Sequence, residues 1–184
     1  MKVFYYIILI MNTKRLTSLS MLIAIYVVLS ILTPIRIVNL KVTFEAFPIL
    51  IAGLLMGPID GLLVGAIGSS IYQLLFSGYG ITITTILWIL PHAISGLVVG
   101  LFGKMKNYDY KLYEIIIISC ISAFIVTGLN ILALYVDSKV YGYYSNTLVF
   151  GNLFLKIIIG IILSIIYSII MPKLLTMFKK QIDR

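Results

Sequence analysis

The chain is poor in charge. Of its 184 residues only 11% are charged, against about 25% in a typical soluble domain. Acids are the scarcer sign, six against fourteen basic residues. There is one cysteine, Cys120, inside an apolar run, so an internal disulfide framework is excluded. One histidine, His92, and that lone cysteine cannot build a metal cluster without carboxylates at useful spacing. No Ser/His/Asp arrangement appears: Ser95 follows His92 by three residues, but no acid accompanies them. A phosphate loop is missing too, because the segment GPIDGLLVG lacks the Lys-Ser/Thr pair and reads as a helix hairpin. The expectation is a protein that is not an enzyme and has no energy-coupling engine of its own.

What is present in excess is apolar surface. Hydrophobic residues make up 61% of the chain, and the mean hydropathy is +1.14. A soluble domain of this size could not hide that much inside one core. The reading is an all-α integral membrane protein forming a single domain. A span needs about 20 mostly apolar residues, and that window predicts six transmembrane helices. They run over 16–34, 44–56, 61–76, 84–102, 113–136 and 149–175. The second is short, with Pro48 in its first turn, where a missing N–H matters least. Asp60 reads as a helix N-cap in the turn between the second and third spans. Residues 1–10 are too short to span; Met11 reads as the natural start, or else Phe4, Tyr5 and Tyr6 anchor an interfacial extension.

An even number of spans puts both termini on one side. Ten of the fourteen basic residues gather there, and Arg36, Lys41, Lys139 and Lys156 fall on or near the other. By the positive-inside bias both termini face the cytoplasm, and the net charge of +8 reports membrane orientation rather than nucleic-acid binding.

Polar side chains inside spans are expensive and are functional candidates by default. Most fall in the outer half: Glu45 at the head of the second span, Tyr72 and Gln73 in the third, Trp88 and His92 four apart on the fourth. Asn130 follows on the fifth, and Asn152 and Lys156, also four apart, on the sixth. Together they predict a polar pocket open to the outside, with Arg36, Lys41 and Tyr79 in the outer segments. Each has a plainer role available. His92 and Asn130 could only link helices, and Trp88 could face lipid. Glu45 could pair structurally with Lys41 or Lys156, and Lys156 could snorkel. Small residues at four-residue spacing, Gly53/Gly57, Gly61/Gly65 and Gly96/Gly100, permit close helix approach. Ser20 and Ala24 do the same on the first span, where no polar counterpart lies nearby, and suggest docking onto another protein's helix.

A family resemblance gathers these features. It rests on Thr13-Lys14-Arg15-Leu16, Ser20-Met21-Leu22-Ile23-Ala24 and Val27-Val28-Leu29-Ser30. It continues in Val42-Thr43-Phe44-Glu45-Ala46-Phe47-Pro48-Ile49 and in Gly57-Pro58-Ile59-Asp60-Gly61-Leu62-Leu63-Val64-Gly65. It ends in Tyr79-Gly80-Ile81-Thr82-Ile83-Thr84-Thr85 and Gly96-Leu97-Val98-Val99-Gly100. From Met11 to Lys180 the chain resembles the substrate-binding S component of an energy-coupling factor (ECF) vitamin transporter, most like the folate-type subfamily. The resemblance implies six helices with cytoplasmic termini in a prokaryotic plasma membrane. It also implies vitamin capture from outside, and assembly with a transmembrane coupling protein and two ATPases that hydrolyse ATP, with no cofactor in this chain. Family members dock through a small-xxx-small face on the first helix, usually Ala-x-x-x-Ala; here the first position is Ser20. Where folate-type members carry Tyr-Phe-Pro-Gly-Phe, this chain has Tyr79-Gly80-Ile81-Thr82. Lys156, Arg36 and Lys41 favour an anionic ligand, and Trp88, Tyr72 and Tyr79 favour an aromatic ring. Folate satisfies both; pantothenate, pyridoxine or a pyrimidine precursor are the alternatives. From other classes, a ligand-free structural adaptor and an intramembrane enzyme compete with this reading.

Overall fold

The computed structural model describes residues 13–32, 35–37, 40–42, 44–78 and 80–182. The expectations about residues 1–10, about Tyr79 and about the side chains of Arg36 and Lys41 lie outside the described residues. Helix α1 spans Thr13–Leu32. Strands β1 (Ile35–Ile37) and β2 (Leu40–Val42) follow, then α2 (Ala46–Met56), α3 (Pro58–Leu75) and α4 (Thr85–Met105). Helices α5 (Leu112–Val140), α6 (Asn146–Phe150) and α7 (Leu153–Ile182) complete the order. Five described helical segments are long and apolar enough to cross a membrane, and α2 is a shorter apolar helix.

Three details depart from the hydropathy reading. The strands form an antiparallel hairpin that pairs Ile35 with Val42, Arg36 with Lys41 and Ile37 with Leu40. Both segments alternate apolar and basic residues, which is the period of a strand. Helix α3 begins three residues early, because Pro58 suits a first helical position. Gly57, at φ 104°, makes the turn into it. Asp60 therefore sits inside the first turn and is not the N-cap. The sixth span is broken at Gly151-Asn152, which separate α6 from α7. Asn152 thus precedes α7, and its carbonyl accepts the Lys156 N–H at 2.9 Å.

We call the end of the bundle holding the start of α1 the terminal end, and the other the hairpin end. Helices α3 and α4 run antiparallel and cross at the glycines. A Cβ on Gly96 would lie 2.0 Å from the Gly61 carbonyl oxygen, and one on Gly61 would lie 2.4 Å from that of Gly96. Lipid gives helices no hydrophobic reason to associate, so this backbone contact and its dispersion energy must hold them. Around the crossing lies one core, with Leu22 and Tyr26 of α1, Ile49, Leu50 and Leu54 of α2, Val64 of α3 and Val99 of α4. Ile115 and Ile118 of α5 and Tyr167 and Met171 of α7 complete it. Hydroxyls stitch the later helices: Ser95 and Ser122 meet at 2.6 Å, and Ser164 donates to the Ser119 carbonyl at 3.0 Å. Large apolar side chains such as Ile83, Phe154 and Ile169 point outward, as lipid contact requires.

Ala is the better helix former by about 1 kcal/mol, yet Gly96→Ala must drive α4 off α3. We expect a net loss of about 1–3 kcal/mol. Thermal unfolding in detergent checks it: a midpoint equal to that of the parent would mean that the crossing carries no weight.

Candidate functional site

The shortness of α2 sets the depth of the first candidate. Eleven residues rise only about 16 Å, roughly half of a 30 Å hydrocarbon layer. Glu45, at the head of α2, is therefore lodged within the bundle rather than at its rim. A helix N-terminus favours a carboxylate there, although the side chain makes no capping hydrogen bond. Oε1 of Glu45 lies 3.7 Å from Nε2 of His92, with the two side chains 15% and 9% exposed. His92 is held at that height because α4 rests on Gly65: a Cβ there would lie 2.2 Å from the His92 carbonyl oxygen. The other oxygen, Oε2 of Glu45, is buried and receives no hydrogen bond among the described residues.

Aromatic rings close this centre. Tyr26 meets the His92 imidazole edge-on at 5.6 Å. Tyr167 packs against Phe44 at 6.1 Å and Phe47 at 5.6 Å. The centre gathers one carboxylate with an acceptor oxygen unoccupied among the described residues, an imidazole and buried tyrosine rings.

Of the expected site residues, the structure brings Glu45 and His92 together. Glu45 faces His92 and not Lys156. Arg36 and Lys41 stand opposite each other in the hairpin register. Tyr72, Gln73, Trp88, Asn130 and Lys156 are half-buried on α3, α4, α5 and α7, and Asn152 is half-buried in the turn before α7. Ser20 and Ala24 are exposed on α1, while Leu19, Leu22 and Tyr26 occupy its buried face.

Several interactions were not anticipated. At the terminal end, Asp60 is fully buried and accepts a forked pair from Arg15: Nε at 2.9 Å from Oδ2 and Nη2 at 2.9 Å from Oδ1. The acid lay visible in the Gly-Pro-Ile-Asp-Gly turn, but nothing local pointed 45 residues back to Arg15. Nearby, Lys106 Nζ lies 2.6 Å from Glu114 Oε1, and the carboxylate holds the lysine above its ordinary pKa. Because the lysine's folded value is raised, that contribution is present from above the carboxylate range, where Glu114 is ionised, up to pH about 10.5, and it is lost as pH rises further. At the hairpin end, Thr84 and Tyr143 both donate hydroxyl hydrogen bonds to Asp137. The Lys139 ammonium sits 3.9 Å from the Tyr144 ring centroid.

The family model described as "ECF transporter, substrate-specific component" matches residues 14–177. The chain belongs to this family. That family is the substrate-specific component of a transporter, not a family of enzymes. In fold it is similar to the crystal structure of FolT bound with folic acid, at TM-score 0.67 and 22% identity, covering 86% of this chain and 90% of that one. It is also similar to the S-component for biotin from an ECF-type ABC transporter, at TM-score 0.64 and 18% identity, covering 90% and 94%. A UPF0397 protein from Streptococcus pneumoniae is 33% identical over 104 residues, 53% of this chain and 55% of that relative. The chain spans about half the length of the curated relatives it matches.

Removing one partner of a buried ion pair costs about 3–5 kcal/mol, and replacing both by apolar residues is often nearly neutral. Arg15 remains 39% exposed, so Arg15→Ala should fall at the low end, about 3 kcal/mol, and Arg15→Leu/Asp60→Leu should recover most of it. Denaturation midpoints of the three proteins check this; an Arg15→Ala variant as stable as the parent would contradict a stabilising fork.

Proposed function

We propose that this S component captures a water-soluble vitamin, folate-like in charge and shape, from outside a prokaryotic plasma membrane. The hairpin end faces outward and both termini lie in the cytoplasm. The chain delivers its cargo with a transmembrane coupling protein and two cytoplasmic ATPases, which supply the ATP hydrolysis. The family match over 164 residues, 14–177, carries this reading. Two features of the chain support it. A carboxylate–imidazole pair has Tyr26 edge-on to its imidazole, and its carboxylate stands on the segment just after a hairpin that carries Arg36 and Lys41. The remaining polar residues, Tyr72, Gln73, Tyr79, Trp88, Asn130, Asn152 and Lys156, are assigned to the walls of the same outward site. The exposed Ser20 and Ala24 face of α1 is assigned to the coupling protein, since small residues let a partner helix approach closely.

Ligand binding raises stability by mass action, by about 2.7 kcal/mol at a hundred times the dissociation constant. The purified chain should show a rise in melting temperature of several degrees with one of folate, biotin, pantothenate or pyridoxine. No shift with any of them, in folded protein, would refute vitamin capture and favour an adaptor.

Ser20→Leu or Ala24→Leu should lower recovery of the complex with the coupling protein at least severalfold and leave vitamin binding intact. Equal recovery from both variants would place the docking face elsewhere.

A further inference from the structure

Every other helical acid with a described environment is engaged. Asp60 takes the Arg15 fork, Glu114 takes Lys106 and the Lys111 N–H, and Asp137 takes two hydroxyls. Glu45 is different. Its contact with His92 at 3.7 Å is longer than a hydrogen bond, its Oε2 accepts none, and it does not cap α2. A carboxylate offers about four lone-pair sites in one plane and takes two parallel N–H groups well. Rings lie close by: Tyr26 meets His92 edge-on, and Tyr167 packs on Phe44 and Phe47, which flank Glu45 in the sequence.

We propose, resting on the reading as a vitamin-binding subunit, that Glu45 selects the class of ligand. It accepts a parallel pair of N–H donors, one in the ring and one on its amino substituent, from a nitrogen heterocycle stacked beside these rings, as in an amino-pyrimidinone. The same carboxylate repels an anion, so the ligand's own carboxylate lies at the other end. Lys41 and Arg36 are the cationic positions assigned to it. Lys41 is four residues before Glu45, at most about 14 Å along an extended chain, and Arg36 stands opposite Lys41 in the hairpin. The site therefore reads a ligand with a donor-bearing ring at one end and an anion at the other. Pantothenate, which has no ring, fails the first requirement.

The test is isothermal titration of the full detergent-solubilised chain with folic acid, biotin, pantothenate and 2-desaminofolic acid, on the parent and on Glu45→Gln. Biotin is the control, because the two N–H groups of its cyclic urea point apart and cannot both reach one carboxylate. The expected result is binding of folic acid, with biotin and pantothenate at least a hundredfold weaker. Glu45→Gln should weaken the bound vitamin about tenfold to a hundredfold, the range for a hydrogen bond to a charged group, at an unchanged melting temperature. If folic acid binds, the desamino analogue should lose about the same factor on the parent and little more on the variant, which tests the pairing even if Glu45→Gln folds poorly. Vitamin binding with Glu45→Gln within twofold of the parent, or biotin or pantothenate as the tightest ligand, overturns this inference and leaves vitamin capture standing. Binding of no vitamin by the parent overturns both.

Discussion

The bundle depends on the contact between the backbones of α3 and α4. At Gly61 and Gly96 a methyl group on either side would fall within 2.4 Å of the opposing carbonyl. Two consequences follow from how close the axes come. Toward the hairpin end, the His92 carbonyl settles over Gly65, which sets the height of the imidazole. Toward the terminal end, α2 packs through Gly53 against Val99, and that fixes how far its head at Glu45 stands from the crossing. The meeting of Glu45 with His92 is thus set by glycines on three helices rather than by the two side chains. An attraction across 3.7 Å could not by itself position α2 against α4.

The polar groups sort by depth, and their hydrogen bonding differs with it. Arg15 and Asp60 form a complete fork at the terminal end, and Thr84, Asp137 and Tyr143 form a complete cluster at the hairpin end. Both are places where a structural bond is needed, because each joins helices distant in sequence near a membrane surface. Glu45 lies between them with acceptor capacity to spare. An incomplete buried carboxylate is costly unless something completes it. That contrast within one molecule is why Glu45 is read as a binding group and Asp60 as a structural one, although both are acids at the start of a helix.

Much of this was legible in the sequence. The helices follow from unbroken apolar runs, and the close approach from Gly61/Gly65 and Gly96/Gly100. Glu45 and His92 stood out because ionisable groups in such runs are rare. Their partnership was not legible. His92 was read with Trp88, one turn away on the same helix, whereas its counterpart lies 47 residues earlier, and only tertiary packing could reveal it. Asp60 failed for the same reason: the local turn suggested a cap, and the distant Arg15 won. The break at Gly151-Asn152 was hidden because hydropathy averages over a window in which two residues count little. Tyr26 and Tyr167 carried no signal, since a tyrosine in an apolar run can equally face lipid, core or water.

The exposed face of α1 shows how interior constraints reach the surface. The helix is pinned at two heights about three turns apart: Arg15 forks onto Asp60, and the Tyr26 ring presses where a Cβ on Gly68 would lie 2.6 Å away. Both anchors belong to α3, so α1 can neither roll nor slide along it without breaking the fork or colliding at Tyr26. With Leu19, Leu22, Tyr26 and Ser30 turned inward, the helical period leaves Ser20 and Ala24 outward. Serine and alanine are small enough to let a second helix come close, but a close approach demands a fixed angle, because backbone contacts tolerate little misalignment. The fork and the Tyr26–Gly68 contact hold that angle. A partner that reads Ser20 and Ala24 therefore meets a surface whose orientation is set inside the bundle, at residues it never touches.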